Sequence, residues 1–229
     1  PDYLQDTPES AQQDSADLIA TWHNKGRLKY AITPRFAPTS TEKQMAMMGE
    51  LMSSYKDVYL QTHLSENQQE IAWVKELYPN SKHYLDVYDS YQMVTERSLF
   101  GHCIHLEDDE WRLMSEKGAI VSFCPTSNLF LGSGLYNLNK AKAFNVKTTL
   151  ATDVGGGDSF SMLRTLGEAY KVFQLQNITM DSLSGLYMMT RGAADALKLP
   201  DIGDFNAGTF ADFTVLDPHF NELSSLRLQ

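Results

Sequence analysis

The chain has 229 residues, 42% of them hydrophobic, and a formal charge of −10. That length allows one or two domains with a substantial core, and an acidic chain without a basic stripe excludes a nucleic-acid backbone as partner. No apolar run approaches the roughly 18 residues of a membrane span and no signal peptide is visible, so a cytoplasmic protein with no membrane partner is the expectation.

Thr7-Pro8-Glu9 opens a helix with a capping residue and a proline at the first helical position. Leu18, Ile19 and Trp22 form its apolar stripe and Gly26 its predicted end. Residues 28–32 read as a strand running into Thr33-Pro34-Arg35-Phe36. Thr39 with Glu42 makes a capping-box pair, and Met45, Met48, Leu51 and Met52 recur at helical spacing, as core packing does. A strand over 58–62 precedes a helix over 69–78 stopped by Pro79, and 84–94 reads as a tyrosine-rich helix. A strand over 99–104 leads into Glu107-Asp108-Asp109-Glu110, carboxylates that suit the positive end of a helix dipole better than a metal site. Strands over 119–123 and 146–151 follow, then helices over 162–175 and 181–197. Cys103 and Cys124 lie in apolar, strand-like surroundings and read as reduced core cysteines.

Five strands separated by helices indicate a parallel sheet of βαβ units. A complete eight-stranded α/β barrel takes about 250 residues, and both an open sheet and a partial barrel fit five strands. The chain opens Pro1-Asp2-Tyr3 without a methionine and closes after a strand-like run, Asp212-Phe213-Thr214-Val215-Leu216. An internal piece of a longer protein is therefore expected.

The chemistry gathers at strand ends. Gln61-Thr62-His63-Leu64-Ser65-Glu66 closes one strand, and His102 and Asp153 close two others. A lone histidine at such a place is more often structural than a ligand. Three further polar groups at the carboxyl ends of neighbouring strands change that balance, because α/β barrels keep their catalytic groups there. Catalytic zinc takes nitrogen and oxygen ligands and leaves one position for water, which His63 and Asp153 can provide for. Glu66 and His102 are then available to hold and move protons. Arg35-Phe36 follows a strand on the same side and suits a substrate role: fixed donors for a carbonyl or ring acceptor, and a flat apolar surface. Gly155-Gly156-Gly157 lacks the lysine and spacing of a phosphate loop and reads as a tight turn that brings backbone close to the site. Ser127-Asn128 shares the strand-end location and is read as structural. His23, His83 and His219 have no comparable context, and His105 should point away if its strand continues.

These residues resemble the amidohydrolase superfamily, and within it the guanine deaminase family. The motifs that carry the resemblance are Thr33-Pro34-Arg35-Phe36, Thr62-His63-Leu64-Ser65-Glu66-Asn67, Gly101-His102, Cys124-Pro125-Thr126-Ser127-Asn128-Leu129, Thr152-Asp153 and Gly208-Thr209-Phe210-Ala211-Asp212. Pro34-Arg35-Phe36 is the part that narrows it. The resemblance implies hydrolytic deamination of guanine to xanthine and ammonia by a metal-activated water, with one zinc per full-length subunit (iron occurs among relatives). It implies His63 and Asp153 as zinc ligands, and Glu66 as the proton shuttle between water, purine and leaving ammonia. His102 would orient the water and Asp153 accept its proton. Arg35 and Phe36 would bind the purine beside His63, Glu66 and Asp153. The implied fold is a (β/α)8 barrel of which about strands 4 to 8 are here. The catalytic domain covers residues 1–200, and residues 201–229 begin the return into a small β-sandwich. A homodimer is implied for the full-length enzyme.

One departure stands out. The family's first barrel strand ends in a His-X-His pair that supplies two more zinc ligands, and none occurs in this sequence. This chain by itself is therefore expected to be inactive. Two other readings remain: a related cytosine deaminase or triazine chlorohydrolase, and a non-catalytic barrel scaffold. Retention of Glu66, His102 and Asp153 argues against the scaffold.

Overall fold

Short apolar runs become strands where helices cover them, and the five strands here are all parallel and hydrogen-bonded in chain order. The computed structural model describes residues 5–215. Leu216 and His219 lie outside the described residues. The strands are β1 (Ala31–Ile32), β2 (Tyr59–Leu64), β3 (Ser98–His102), β4 (Ile120–Phe123) and β5 (Lys147–Leu150). Parallel neighbours cannot be joined by a tight turn, so each connection carries helix: α1 (Pro8–Trp22) precedes β1, α2 (Glu42–Ser54) leads to β2, and α3 (Gln68–Leu77) and α4 (Tyr84–Ser90) lead to β3. Beyond β3 come α5 (Asp108–Lys117), α6 (Pro125–Leu131) and α7 (Leu138–Ala143). After β5 follow α8 (Met162–Gln174), α9 (Ser182–Met189) and α10 (Arg191–Ala196). No described helix is long and apolar enough to cross a membrane.

The core lies between sheet and helices. Ile32, Leu60, Leu64, Phe100, Val121 and Phe123 from the strands meet Met45, Met48, Leu85, Tyr88, Trp111 and Phe173 from the helices, all buried. The methionines of α2 are core residues, and Cys103 and Cys124 are buried and free. Glu107 caps α5 through a reciprocal pairing with Glu110, so the acidic run is a helix start.

Several boundaries differ from the sequence expectation, each for a local reason. The first helix stops at Trp22 with His23 as its cap, ahead of Gly26. Thr41, not Thr39, caps α2 through Gln44 N–H; the Thr39 hydroxyl donates to Phe36 O inside a 3-10 turn over Ala37–Thr39. The tyrosine-rich helix ends at Ser90 because Gln92 is left-handed (φ 59°) and Met93 N–H returns to Tyr88 O. The segment over 181–197 breaks in two at Thr190 (φ −127°, ψ −108°). The third strand stops at His102, where His102 and Cys103 turn left-handed. Residues 212–215 form no strand; Asp212 pairs with Arg27 instead.

Gly49 of α2 sits against the backbone of Tyr91, whose carbonyl oxygen a methyl group would overlap. Alanine is favoured over glycine by about 1 kcal/mol in a helix, yet Gly49→Ala should destabilise by about 1–3 kcal/mol through overpacking. Urea unfolding would show it as a lowered midpoint; a raised midpoint would mean that this close approach does not constrain α2.

Candidate active site

The sheet delivers its polar groups to one end. His63 is the fifth residue of β2, Glu66 follows that strand by two residues, and His102 is the last residue of β3. Leu64 pairs with His102, and Cys103 N–H continues the ladder to Leu64 O. Asp153 lies three residues beyond β5, on a chain tied to β4 by Ala151 N–H to Phe123 O at 2.8 Å. Ser65, His102, Cys103 and Asp153 all have positive φ, from 45° to 69°. Such conformations cost about 1–3 kcal/mol each for non-glycine residues and cluster at functional sites. Here they end the strands abruptly, with Asp153 lining the cleft, His102 beside it and Cys103 packed into the core.

The glycine run holds Asp153 in place as a tight turn. Gly157 N–H donates to Asp153 O, and a Cβ on Gly157 would overlap Thr152 O and come within 2.7 Å of Thr126 Oγ1. At Gly156 a Cβ would meet Ser127 Oγ at 2.6 Å. Only glycine lets these backbones approach so closely.

A cleft of about 570 Å³ opens over the strand ends, lined by Arg35, Phe36, His63, Glu66, Trp73, Asp153 and neighbours including Leu131 and Gly156. The Phe36 ring lies 6.0 Å from that of His63 and meets Trp73 edge-on at 6.2 Å. The Arg35 guanidinium is 5.5 Å from the Phe36 ring centre and exposed. His102 is 2% exposed, with Nε2 3.7 Å from Glu66 Oε2 and 3.9 Å from Asp153 Oδ2. All six residues expected from the sequence thus converge on one place.

Both histidines are oriented from behind. His63 Nδ1–H donates to Arg35 O at 2.7 Å, and His102 Nδ1–H to Asn128 Oδ1 at 2.8 Å. A carbonyl oxygen only accepts, so each Nδ1 carries a proton, and in the neutral ring the lone pair then sits on Nε2. That is the tautomer a metal-ligating histidine needs, and the donor set fits a divalent transition metal. The tightest group of ligand atoms among the described residues is His102, Cys124 and Asp153, within 4.8 Å of one another. His63 lies outside that group, its ring 5.2 Å from that of His102. Cys124 is a weak candidate: its thiol donates to Ser122 O, and burial, with the Asp153 carboxylate nearby, pushes its pKa well up.

Three contributors escaped the sequence reading. Trp73 is exposed on α3, and nothing in the run Ile71-Ala72-Trp73-Val74 sets it apart from its apolar neighbours. Ser133 donates to Glu66 Oε1 at 2.8 Å from 67 residues away. His105 lies past the strand end and meets Ser133 O. Asn128 does tie structure together, and what it ties is His102.

A family model described as "Amidohydrolase family" matches residues 4–227. Guanine deaminase of Escherichia coli (strain K12) is 52% identical over 99% of this chain and 52% of its own length. A solved structure of the E. coli enzyme superposes with a TM-score of 0.96, covering 99% of this chain and 53% of that one. Guanine deaminase from C. acetobutylicum, solved with bound guanine in its active site, superposes at 0.85 with 29% identity over 91% of this chain and 51% of that one. An adenosine deaminase from Xanthomonas campestris with bound zinc superposes at 0.80 with 25% identity, over 87% and 46%. The chain spans about half the length of the curated relatives it matches. Parallel strands with histidine and carboxylate at their carboxyl ends, under a family model that runs almost from end to end, make this chain a member of the amidohydrolase family.

Proposed function

We propose that this chain forms the catalytic half of an enzyme that hydrolyses guanine to xanthine and ammonia. The observation that carries the reading is the shared cleft: Arg35 and Phe36, the family-narrowing pair, line the same space as His63, Glu66 and Asp153. The 52% identity to the E. coli guanine deaminase supports it.

The purine lies against Phe36 and Trp73, and Arg35 donates to its carbonyl oxygen through a planar fork. His63 and Asp153 hold the metal, zinc by likeness to the zinc-bound relative, with iron as the other candidate. When bound it supplies Lewis acidity that lowers the pKa of water to about 7. His102 Nε2 orients and polarises the attacking water; its distances to Glu66 and Asp153 are too long for direct hydrogen bonds and suit a shared water. Asp153 accepts the water's proton. Glu66 carries protons to the purine ring and then to the leaving amino group, so that guanine and water become xanthine and ammonia.

The architecture we infer is about strands 4 to 8 of a (β/α)8 barrel over residues 1–200, with 201–229 starting the return into a β-sandwich. Edge strand β5 supports it: beside it runs a groove of about 610 Å³ lined by Leu138, Val146, Met180 and Leu183, a surface suited to further chain. The full-length enzyme is read as a cytoplasmic homodimer with a purine as its small-molecule partner, and with neither nucleic acid nor membrane as partner.

Glu66→Gln in the full-length protein should keep fold and metal but lose about 10²–10⁴ in turnover, because an amide cannot carry the proton; near-parental deamination would remove Glu66 from the mechanism. Arg35→Lys should recover little of the kcat/KM lost in Arg35→Ala, since lysine lacks the fork. Steady-state kinetics with guanine decide that point, and unchanged kinetics in Arg35→Ala would make the pair structural. Catalytic zinc sites use about three protein ligands, and β1 and β5 are unpaired edges among the described residues. The 229-residue chain purified alone should therefore hold no tight zinc and turn over no guanine. Stoichiometric zinc with measurable deamination would defeat that expectation.

A further inference from the structure

Glu66 stands on the loop between β2 and α3, on a flexible side chain, so its carboxylate needs an outside partner to stay aimed at His102. Among the described residues one hydrogen bond reaches that carboxylate: Ser133 Oγ donates to Oε1 at 2.8 Å. The other oxygen, Oε2, is the one that faces His102 Nε2 at 3.7 Å.

Ser133 is itself held on several sides. Its N–H donates to Asn128 O at 2.9 Å, and His105 Nε2–H donates to its carbonyl oxygen at 2.9 Å. Gly132 (φ 70°) and Gly134 (φ 134°) flank it, and a Cβ at Gly134 would come within 2.9 Å of Ile104 Cγ2. The chain therefore bends on both sides of Ser133 in conformations glycine adopts freely. Asn128, earlier in the same segment, accepts His102 Nδ1–H. One segment so carries the hydrogen bonds that orient both Glu66 and His102.

We propose that Ser133 is a positioning residue for Glu66: its hydroxyl pins Oε1 and leaves Oε2 as the oxygen that exchanges protons beside His102. His105 locks the loop that presents it. A serine in a glycine-flanked loop is ordinarily a turn residue. What separates Ser133 from that reading is the direction of its hydroxyl, which goes to a carboxylate 67 positions earlier rather than to its own turn. The proposal rests on Glu66 being the proton shuttle.

The test compares Ser133→Ala, Ser133→Thr and Glu66→Gln in the full-length protein. Guanine kcat and KM, zinc content, Tm and affinity for xanthine by calorimetry are measured for each. Ser133→Ala should lose about tenfold in kcat, a fraction of what removing the shuttle costs, with KM, xanthine affinity, zinc content and Tm close to parental. Ser133→Thr, which keeps the hydroxyl, should recover most of the rate. A Ser133→Ala variant within twofold of parental kcat overturns the proposal. So does a loss that threonine fails to restore, or one accompanied by lower Tm or weaker xanthine binding, since loop damage would then account for it. Those outcomes leave the guanine reading intact if Glu66→Gln is inactive. Normal turnover by Glu66→Gln sinks the shuttle assignment itself, and the Ser133 proposal with it.

Discussion

The pairing of β2 with β3 is the constraint on which the cleft depends. Leu60 to Leu64 run beside Ser98 to His102, and the ladder continues past the strands through Cys103 N–H to Leu64 O and through Ile104 and His105 N–H to Ser65 O. This register places the His63–Glu66 turn against His102. Slipping it by one residue would swap the two faces of the strand, sending Leu64 into the cleft and His63 into the core. Leu60, Leu64 and Phe100 oppose such a slip, because each is fully buried. Burying a large apolar side chain is worth about 1.5–3 kcal/mol. Apolar packing on one face therefore sets the placement of polar chemistry at the strand ends.

A second tier of polar groups holds the first in place. Tyr88 Oη donates to His63 O at 2.9 Å, accepts Ala37 N–H at 3.0 Å and lies 3.2 Å from Thr62 Oγ1. Burial pushes its phenol up to about 12, so it stays neutral and keeps a proton to donate. Through it the loop bearing Arg35 and Phe36 is tied to the strand bearing His63, and the Arg35 carbonyl in turn takes the His63 Nδ1 proton. Glu70 adds a further tie: its Oε2 accepts from the N–H groups of Glu66 and Asn67 while Asn67 caps α3. Each such bond contributes about 1 kcal/mol net, and more is lost if a buried partner is left unpaired. Buried polar networks of this kind stiffen a site because most alternatives leave a group unsatisfied.

By itself the sequence determined the strands, their parallel βαβ arrangement and the four strand-end residues His63, Glu66, His102 and Asp153. The reason is local: buried parallel strands are short apolar runs, and what ends each run lies next to it in the chain. The glycine turn after Asp153 and the acidic cap of α5 were legible for the same reason. Tertiary structure decided the rest. Whether 84–94 continues as helix depends on a return bond to Tyr88, and the third strand ends where His102 and Cys103 turn left-handed against Leu64 and Ser65. Trp73 becomes part of the cleft only because Phe36, far away in the chain, meets its edge. Asn128 and Ser133 acquire roles only when the fold carries them to His102 and Glu66, 26 and 67 positions earlier. A hydrogen bond between side chains so distant leaves no periodicity in the sequence, since its geometry is created by the packing of elements that each residue does not itself encode.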